Sequence, residues 1–237
     1  MPQQRLDKLL ASTGRWSRKE ARDLVRQGRV SVQNRTALRE DEKYEDSAPI
    51  SVDGAPVDCS PFVYLMLHKP QGLLSATRDK NTPTVLDLLP EHLRRRGLFP
   101  AGRLDKDTTG LLLLTDDGDL AHALLSPKRH VDKVYFARVD GHLTPADQEA
   151  LAQGLVLPDG LACLPAGLEL LEEGRACRIT LWEGKYHQVK RMLEARGAPV
   201  TALKRLSMGP LALDEALEPG QWRALSLEEK TALLALK

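Results

Sequence analysis

The tightest constraint on the fold is the stretch GRLDKDTTGLLLLTDDGDLAH, residues 102 to 122. Four consecutive leucines leave no polar face, so GLLLLT reads as a strand buried in a sheet. The DDG that follows is a turn signal, and DLAHALLS after it has a helical rhythm. The leucines are preceded by Arg103, Asp105, Lys106 and Asp107, charged groups at the mouth of a buried strand, where desolvation is costly. A partly desolvated carboxylate there stays ionised only beside a cation. Arg103, Lys106 and the cations of GKYHQVKRM, residues 184 to 192, are the candidates. The plainer alternative is a turn aspartate paired with Arg103. The neighbouring TDDGD lacks the alternating ligands of a calcium loop, and a tight turn with an Asp in the first helical turn explains it better.

The rest of the chain can supply the surroundings such a strand needs. With 237 residues, 42% of them apolar, it can build one large domain or a small and a medium one. FVYLMLHKP reads as a strand stopped by Pro70, TVLDLLPEHL as a short helix, and KVYFARVD as an alternating strand. TPADQEALAQG reads as a helix with Thr144 as cap and Pro145 at its first position. ACRITLWEG reads as a strand, YHQVKRMLEARG as a helix ended by Gly197, TALKRLSMG with LALD as a strand pair, and SLEEKTALLAL as a capped helix. Strands and helices mix without strict alternation, so the expected class is α+β with a largely antiparallel sheet. Cys59, Cys163 and Cys177 are scattered and odd in number, which indicates neither a disulfide frame nor a zinc site. No apolar run approaches the roughly 18 residues of a membrane span. The opening MPQQRLDKLL lacks the apolar core of a signal peptide, so the expected location is the cytoplasm.

A formal net charge of +1 conceals an asymmetry, because residues 1 to 39 hold ten Lys or Arg against three Asp or Glu. In SRKEARDLVRQGRVSVQ, Ser17 and Glu20 have the spacing of a capping box and Gly28 is placed as a stop. On the intervening helix Arg18, Arg22 and Arg26 recur at every fourth position with Lys19 beside them, while Ala21, Leu24 and Val25 fall opposite. RLDKLLASTG supplies a packing partner; RVSVQ and ISVDGAPV read as a strand and a hairpin turned at Asp53-Gly54. Phosphate is the simplest ligand for four aligned cations, so nucleic acid is the expected partner of this module. Residues 46 to 61 carry three prolines. The boundaries expected are 1–57 for the basic module, 58–61 for a linker and 62–237 for the body.

RLDKLL, SRKEARDLVRQGRVSV and ISVDG together resemble the S4 RNA-binding domain, with VQNRT standing where that family usually has an Asn-Gly turn. GRLDKDTTGLLLLTDDG resembles the signature of the RsuA-type pseudouridine synthases, which also carry an S4 domain. YLMLHKPQGLLSAT, the K-x-Y element of SPKRHVDKVYFARV, and EGKYHQVKRMLEARG agree with it, so the resemblance covers essentially the whole chain. It implies that Asp105 is the nucleophilic aspartate, that Tyr135 stacks on the target uracil, and that Lys190 is the basic partner of the carboxylate. Arg191 is held in reserve for that partner or for RNA phosphate, Arg103 for a phosphate or the vacated nucleotide position, and His187 for a structural role. Without the resemblance Tyr135 would read as a plain sheet residue.

The implied reaction breaks the N-glycosidic bond of a uridine, turns the base and rejoins it through carbon. It conserves every atom and electron, so no metal, redox partner or nucleotide cofactor is expected. One ionised carboxylate can start it, as nucleophile at sugar or base or by removing a sugar proton. The uridine must leave its stack to be reached. GKYHQVKRM resembles the small-subunit members, which implies 16S over 23S rRNA as substrate, acted on by a monomer. A non-catalytic rRNA assembly factor is the alternative from another class. A glycoside hydrolase using Asp105 with Asp107 or Asp116 needs carboxylates about 5 to 9.5 Å apart across a sugar cleft. Three Trp, four Tyr and three Phe offer little for sugar stacking.

Overall fold

In the computed structural model, which describes residues 3 to 237, the chain up to Val63 forms one unit with the segment Leu89–Leu98. Tyr64–Leu88 with Phe99–Lys237 forms the other. The first unit holds β1 (Gln3–Arg5), α1 (Leu6–Ser12), α2 (Arg18–Arg26), β2 (Val30–Val32), β3 (Arg35–Thr36), β4 (Lys43–Glu45), β5 (Ile50–Val52), β6 (Ala55–Val57) and α3 (Glu91–Arg95). The capping box is formed: Ser17 Oγ accepts from the Glu20 amide at 3.2 Å, and Glu20 Oε2 accepts from the Ser17 amide at 2.7 Å. Leu6, Leu9 and Leu10 meet Ala21, Leu24 and Val25 over Val30, Val32, Ile50 and Val52, which closes the core. Both two-residue turns use left-handed backbone. Asp53 and Gly54 have φ of 52° and 79°, Gln33 and Asn34 of 51° and 64°, the geometry that matches strand twist in a hairpin.

Two expectations need correction. The segment 58–61 is not a free linker: Cys59 is 3% exposed in the first unit's core, and the carbonyls of Ser60 and Pro61 accept from Arg96. TVLDLLPEHL is not one helix. A 3-10 turn over Val85–Leu88 ends before Pro90, and α3 starts at Glu91, because proline pushes the residue before it out of helical conformation.

The second unit holds β7 (Tyr64–Lys69), β8 (Phe99–Pro100), β9 (Thr109–Thr115), α4 (Gly118–Leu125), β10 (Lys133–Val139), α5 (Pro145–Gln153), β11 (Leu155–Val156), β12 (Ala162–Cys163), β13 (Gly167–Leu171), β14 (Ala176–Leu181), α6 (Gln188–Glu194), β15 (Val200–Met208), β16 (Leu211–Ala212), β17 (Trp222–Ala224) and α7 (Leu227–Leu234). Its main sheet runs β13-β14-β10-β15-β9-β7-β17, with β16 on β15 and β8 on β9. All pairings are antiparallel except β9 with β15. The fold is α+β. Leu111 to Leu114 are all 0% exposed, as a strand without a polar face requires. Leu111 and Leu113 pack on Leu120 and Leu124 of α4 and Leu233 of α7.

Asp117 explains TDDGD. It caps α4 by accepting from the Leu120 amide at 3.1 Å, and it also accepts from Tyr64 Oη and Lys237 Nζ, each at 2.7 Å. All three cysteines are buried free thiols. Among the described residues no helix is long and apolar enough to cross a membrane.

Candidate active site

The parallel pair at the centre of the sheet positions Asp105. Gly110 lies opposite Arg205 with φ of 104°, and a β-carbon there would stand 2.2 Å from the Arg205 carbonyl oxygen. Only glycine allows that approach. The loop 103–108 therefore enters β9 tight against β15.

The segment after β7 holds this loop from beneath. Ser75 Oγ donates to the Leu104 carbonyl at 2.9 Å and accepts from the Leu104 amide at 3.0 Å. The Gly72 amide donates to the Lys106 carbonyl at 2.8 Å. Lys69, 0% exposed, donates through Nζ to the carbonyls of Thr108 at 2.9 Å, Pro70 at 3.0 Å and Lys106 at 3.4 Å. Burial pushes the Lys69 ammonium down to about 8, against the pull of Asp107 and Asp105. Sequence reading missed Lys69 and Ser75. The available signal was a lysine at the end of the largely apolar run FVYLMLHK.

Asp105 opens into a cleft whose lining includes Arg103, Thr108, Tyr135, His187 and Lys190. Lys190 Nζ stands 3.2 Å from Asp105 Oδ2 and 2.6 Å from Asp107 Oδ1, so one ammonium serves two carboxylates. Burial works against the Lys190 charge, but the hydrogen bonds to Asp107 and Asp105 raise its pKa overall. The Lys190 hydrogen bond in turn holds the Asp107 carboxyl below its usual range. Tyr135, on β10 opposite Ile179 and Arg205, is 9% exposed and forms part of the cleft wall.

Of three other residues, Arg191 and His187 sit differently from expectation. Arg103 is exposed on the cleft and forms no ion pair with Asp105. Arg191 is turned away from Asp105: its guanidinium pairs with Asp159 in the β11–β12 turn, so it clamps that hairpin to α6. His187, expected to be only structural, brings Nε2 to 3.4 Å from Asp105 Oδ1. The helix expected from Tyr186 begins at Gln188, because His187 is left-handed at φ 49°, ψ 33°. The Gln188 side chain also accepts from the Lys185 amide at 2.9 Å.

In the first unit the cationic stripe is partly neutralised from within. Asp7, 0% exposed, takes Arg5 at 3.0 Å, Arg18 at 3.2 Å and Arg22 at 3.4 Å. Burial opposes its charge, yet Arg5 and Arg18 outweigh that and hold its carboxyl below the usual range. Arg26 pairs with Glu40 at 2.7 Å. Three guanidinium groups around one carboxylate still leave a positive surplus, and Lys19 is exposed without a carboxylate partner among the described ion pairs.

Residues 63–195 match the family model described as RNA pseudouridylate synthase, and residues 4–45 match the S4 domain. The chain is 47% identical over 229 residues to an uncharacterized RNA pseudouridine synthase, YtzG, of Bacillus subtilis, covering 95% of this chain and 96% of that one. It is 41% identical over 227 residues to the ribosomal small subunit pseudouridine synthase A of Pseudomonas aeruginosa, covering 95% and 98%. A crystal structure of a pseudouridylate synthase superposes with a TM-score of 0.69 at 34% identity, over 97% of this chain and 99% of that chain. The cleft built around Asp105 thus lies within a region that matches as a whole, and the chain belongs to the RNA pseudouridylate synthase family, an isomerase carrying an S4 domain ahead of its catalytic unit.

Proposed function

We propose that this chain converts one uridine of small-subunit 16S rRNA to pseudouridine, with Asp105 starting the exchange on a uridine drawn out of its stack. The observation that carries the reading is the Asp105 carboxylate at the cleft, with Lys190 at 3.2 Å and the buried Tyr135 in the same lining. The reaction breaks the C1′–N1 bond and forms C1′–C5; the proton leaving C5 is balanced by one gained at N1. Three routes are open to one carboxylate: attack at the sugar, attack at the base, or removal of a sugar proton. Each begins at Asp105. Lys190 pairs with the carboxylate at 3.2 Å and orients it, and Tyr135 supplies an aromatic face for the extracted uracil. Arg103, exposed at the rim, meets a phosphate.

The first unit adds sequence-independent affinity through Arg18, Lys19, Arg22 and Arg26, as a monomer acting in the cytoplasm. The small-subunit substrate is favoured by relatives that bear that name at 41% and 39% identity. Pseudouridine mapping of rRNA from cells with and without the gene tests the reading, alongside tritium release by wild type and Asp105→Asn. We expect one 16S position to lose its modification, and Asp105→Asn to lose turnover while keeping RNA affinity within a few-fold. A position lost from 23S rRNA instead would move the substrate to the large subunit. No change in either rRNA, or near-wild-type turnover by Asp105→Asn, would overturn the assignment.

A further inference from the structure

Tyr186 is 74% exposed, whereas Tyr64 and Tyr135, the other tyrosines of its unit, are buried. Its ring is not loose. It stacks on His187 with centroids 3.8 Å apart and planes 18° from parallel, and His187 reaches Asp105 Oδ1 at 3.4 Å.

The backbone beneath the pair is pinned on several sides. Gln188 Nε2 donates to Glu183 Oε1 at 2.7 Å, and the same oxygen accepts from the Leu164 amide at 2.9 Å. Lys185 Nζ pairs with Glu183 Oε2 at 2.8 Å, and the Lys185 amide donates to Gln188 Oε1 at 2.9 Å. His187 is held in the left-handed region, which a side chain disfavours and which persists only where the surroundings impose it. A fixed aromatic ring, open to solvent and one ring-layer from the group that touches the carboxylate, presents a flat apolar face. That face suits a nucleobase better than a sugar or a phosphate.

We propose that Tyr186, backed by His187, is a second base-stacking position that receives the base next to the target uridine. This rests on the reading of the cleft as the uridine site. Drawing the target out of its stack uncovers one face of its neighbour. Tyr186 covers that face while Tyr135 takes the target, so the two rings grip a dinucleotide across Asp105. Tyr186 is a positioning residue, acting on RNA register.

The test uses the full chain and a short single-stranded RNA centred on the uridine found by mapping, with matched RNAs carrying an abasic sugar on the 5′ or the 3′ side of it. Affinities are read by fluorescence anisotropy for wild type, Tyr186→Ala and Tyr186→Phe. We expect Tyr186→Ala to bind the intact RNA about tenfold more weakly and Tyr186→Phe to restore the affinity. Wild type should lose the same factor on one of the two abasic RNAs, and Tyr186→Ala should lose nothing further on that RNA. The wild-type comparison needs no variant and stands even if Tyr186→Ala is poorly folded. Equal affinity of wild type for intact and both abasic RNAs would overturn the proposal. So would an equal loss by Tyr186→Ala on all three. If wild type forms pseudouridine and these losses are missing, the platform alone falls; if wild type forms none in any rRNA, the reading of the cleft falls with it.

Discussion

Replacing Lys69 by methionine separates the stability of the catalytic unit from the placement of its aspartate. Lys69 is wholly buried, and its pKa is pushed by that burial from 10.5 to about 8. A shift of that size corresponds to about 3 kcal/mol against the charged form. Below pH 8 folded and unfolded chains both carry the proton, and the penalty is present in full. Between about pH 8 and 10.5 the unfolded chain holds a proton that the folded chain has lost, so the wild type gains about 3 kcal/mol of stability as pH rises through that window. Lys69→Met removes the penalty and its pH dependence together, but it leaves the carbonyls of Thr108 and Pro70 without the donor they have now. Each unsatisfied acceptor costs about 1–3 kcal/mol, so near neutral pH the two effects offset. Urea unfolding in a Trp16→Phe background, read from Trp182 and Trp222, measures the result. The wild type should match the variant within about 1–2 kcal/mol at pH 7 and exceed it by about 3 kcal/mol more at pH 10.5. Turnover should fall on the order of a hundredfold throughout, because the loop carrying Asp105 loses an anchor and a displacement of about 1 Å is costly in rate. A stability difference that is flat with pH would refute the low pKa of Lys69. Undiminished turnover would refute its part in placing Asp105.

Lys190→Met leaves Asp105 and Asp107 as neighbouring carboxylates without their shared cation. Partial exposure moderates the penalty to about 2 kcal/mol, roughly thirtyfold in single-turnover isomerisation. Arg191→Met should leave the chemical step within a few-fold and instead raise amide exchange in the β11–β12 hairpin, since its partner is Asp159; a loss as large as that of Lys190→Met would mean the two cations have been assigned the wrong way round. In the first unit, Lys19→Glu should flatten the salt dependence of RNA binding by about one unit of slope without changing thermal stability. Arg22→Glu should lower stability first, because it sets a second carboxylate against the buried Asp7. Equal melting temperatures for the two variants would show that Asp7 does not depend on that guanidinium.

Much of the local structure is legible in short sequence windows. The Ser17–Glu20 box, the Thr144 cap with Pro145, the Asp53-Gly54 turn and the buried leucine strand were all readable, because each depends on groups within four residues of one another. The breaks that were missed are local too, but they depend on a single residue overriding a longer rhythm: Pro90 divides TVLDLLPEHL, and left-handed His187 delays α6 until Gln188. A cation beside Asp105 could be expected from charge placed ahead of a buried strand.

Which cation it would be could not be read from spacing, since Lys190 and Arg191 are adjacent and side chains on consecutive helical positions point about 100° apart. The rotation of α6 decides the pairing, turning Lys190 to Asp105 and to Asp107, the latter 83 residues away in the chain, and Arg191 to Asp159. Likewise, a stripe of arginines looks free until folding brings the buried Asp7 beneath Arg18 and Arg22. Lys69 becomes a support for the Asp105 loop only when β7 lies beside β9 and brings its ammonium to the Thr108 carbonyl, 39 residues away. Caps, turns and periodicity are set by neighbours along the chain. Charge pairing is set by neighbours in space, and those are fixed only by sheet order, by strand register and by the close backbone approach that Gly110 allows.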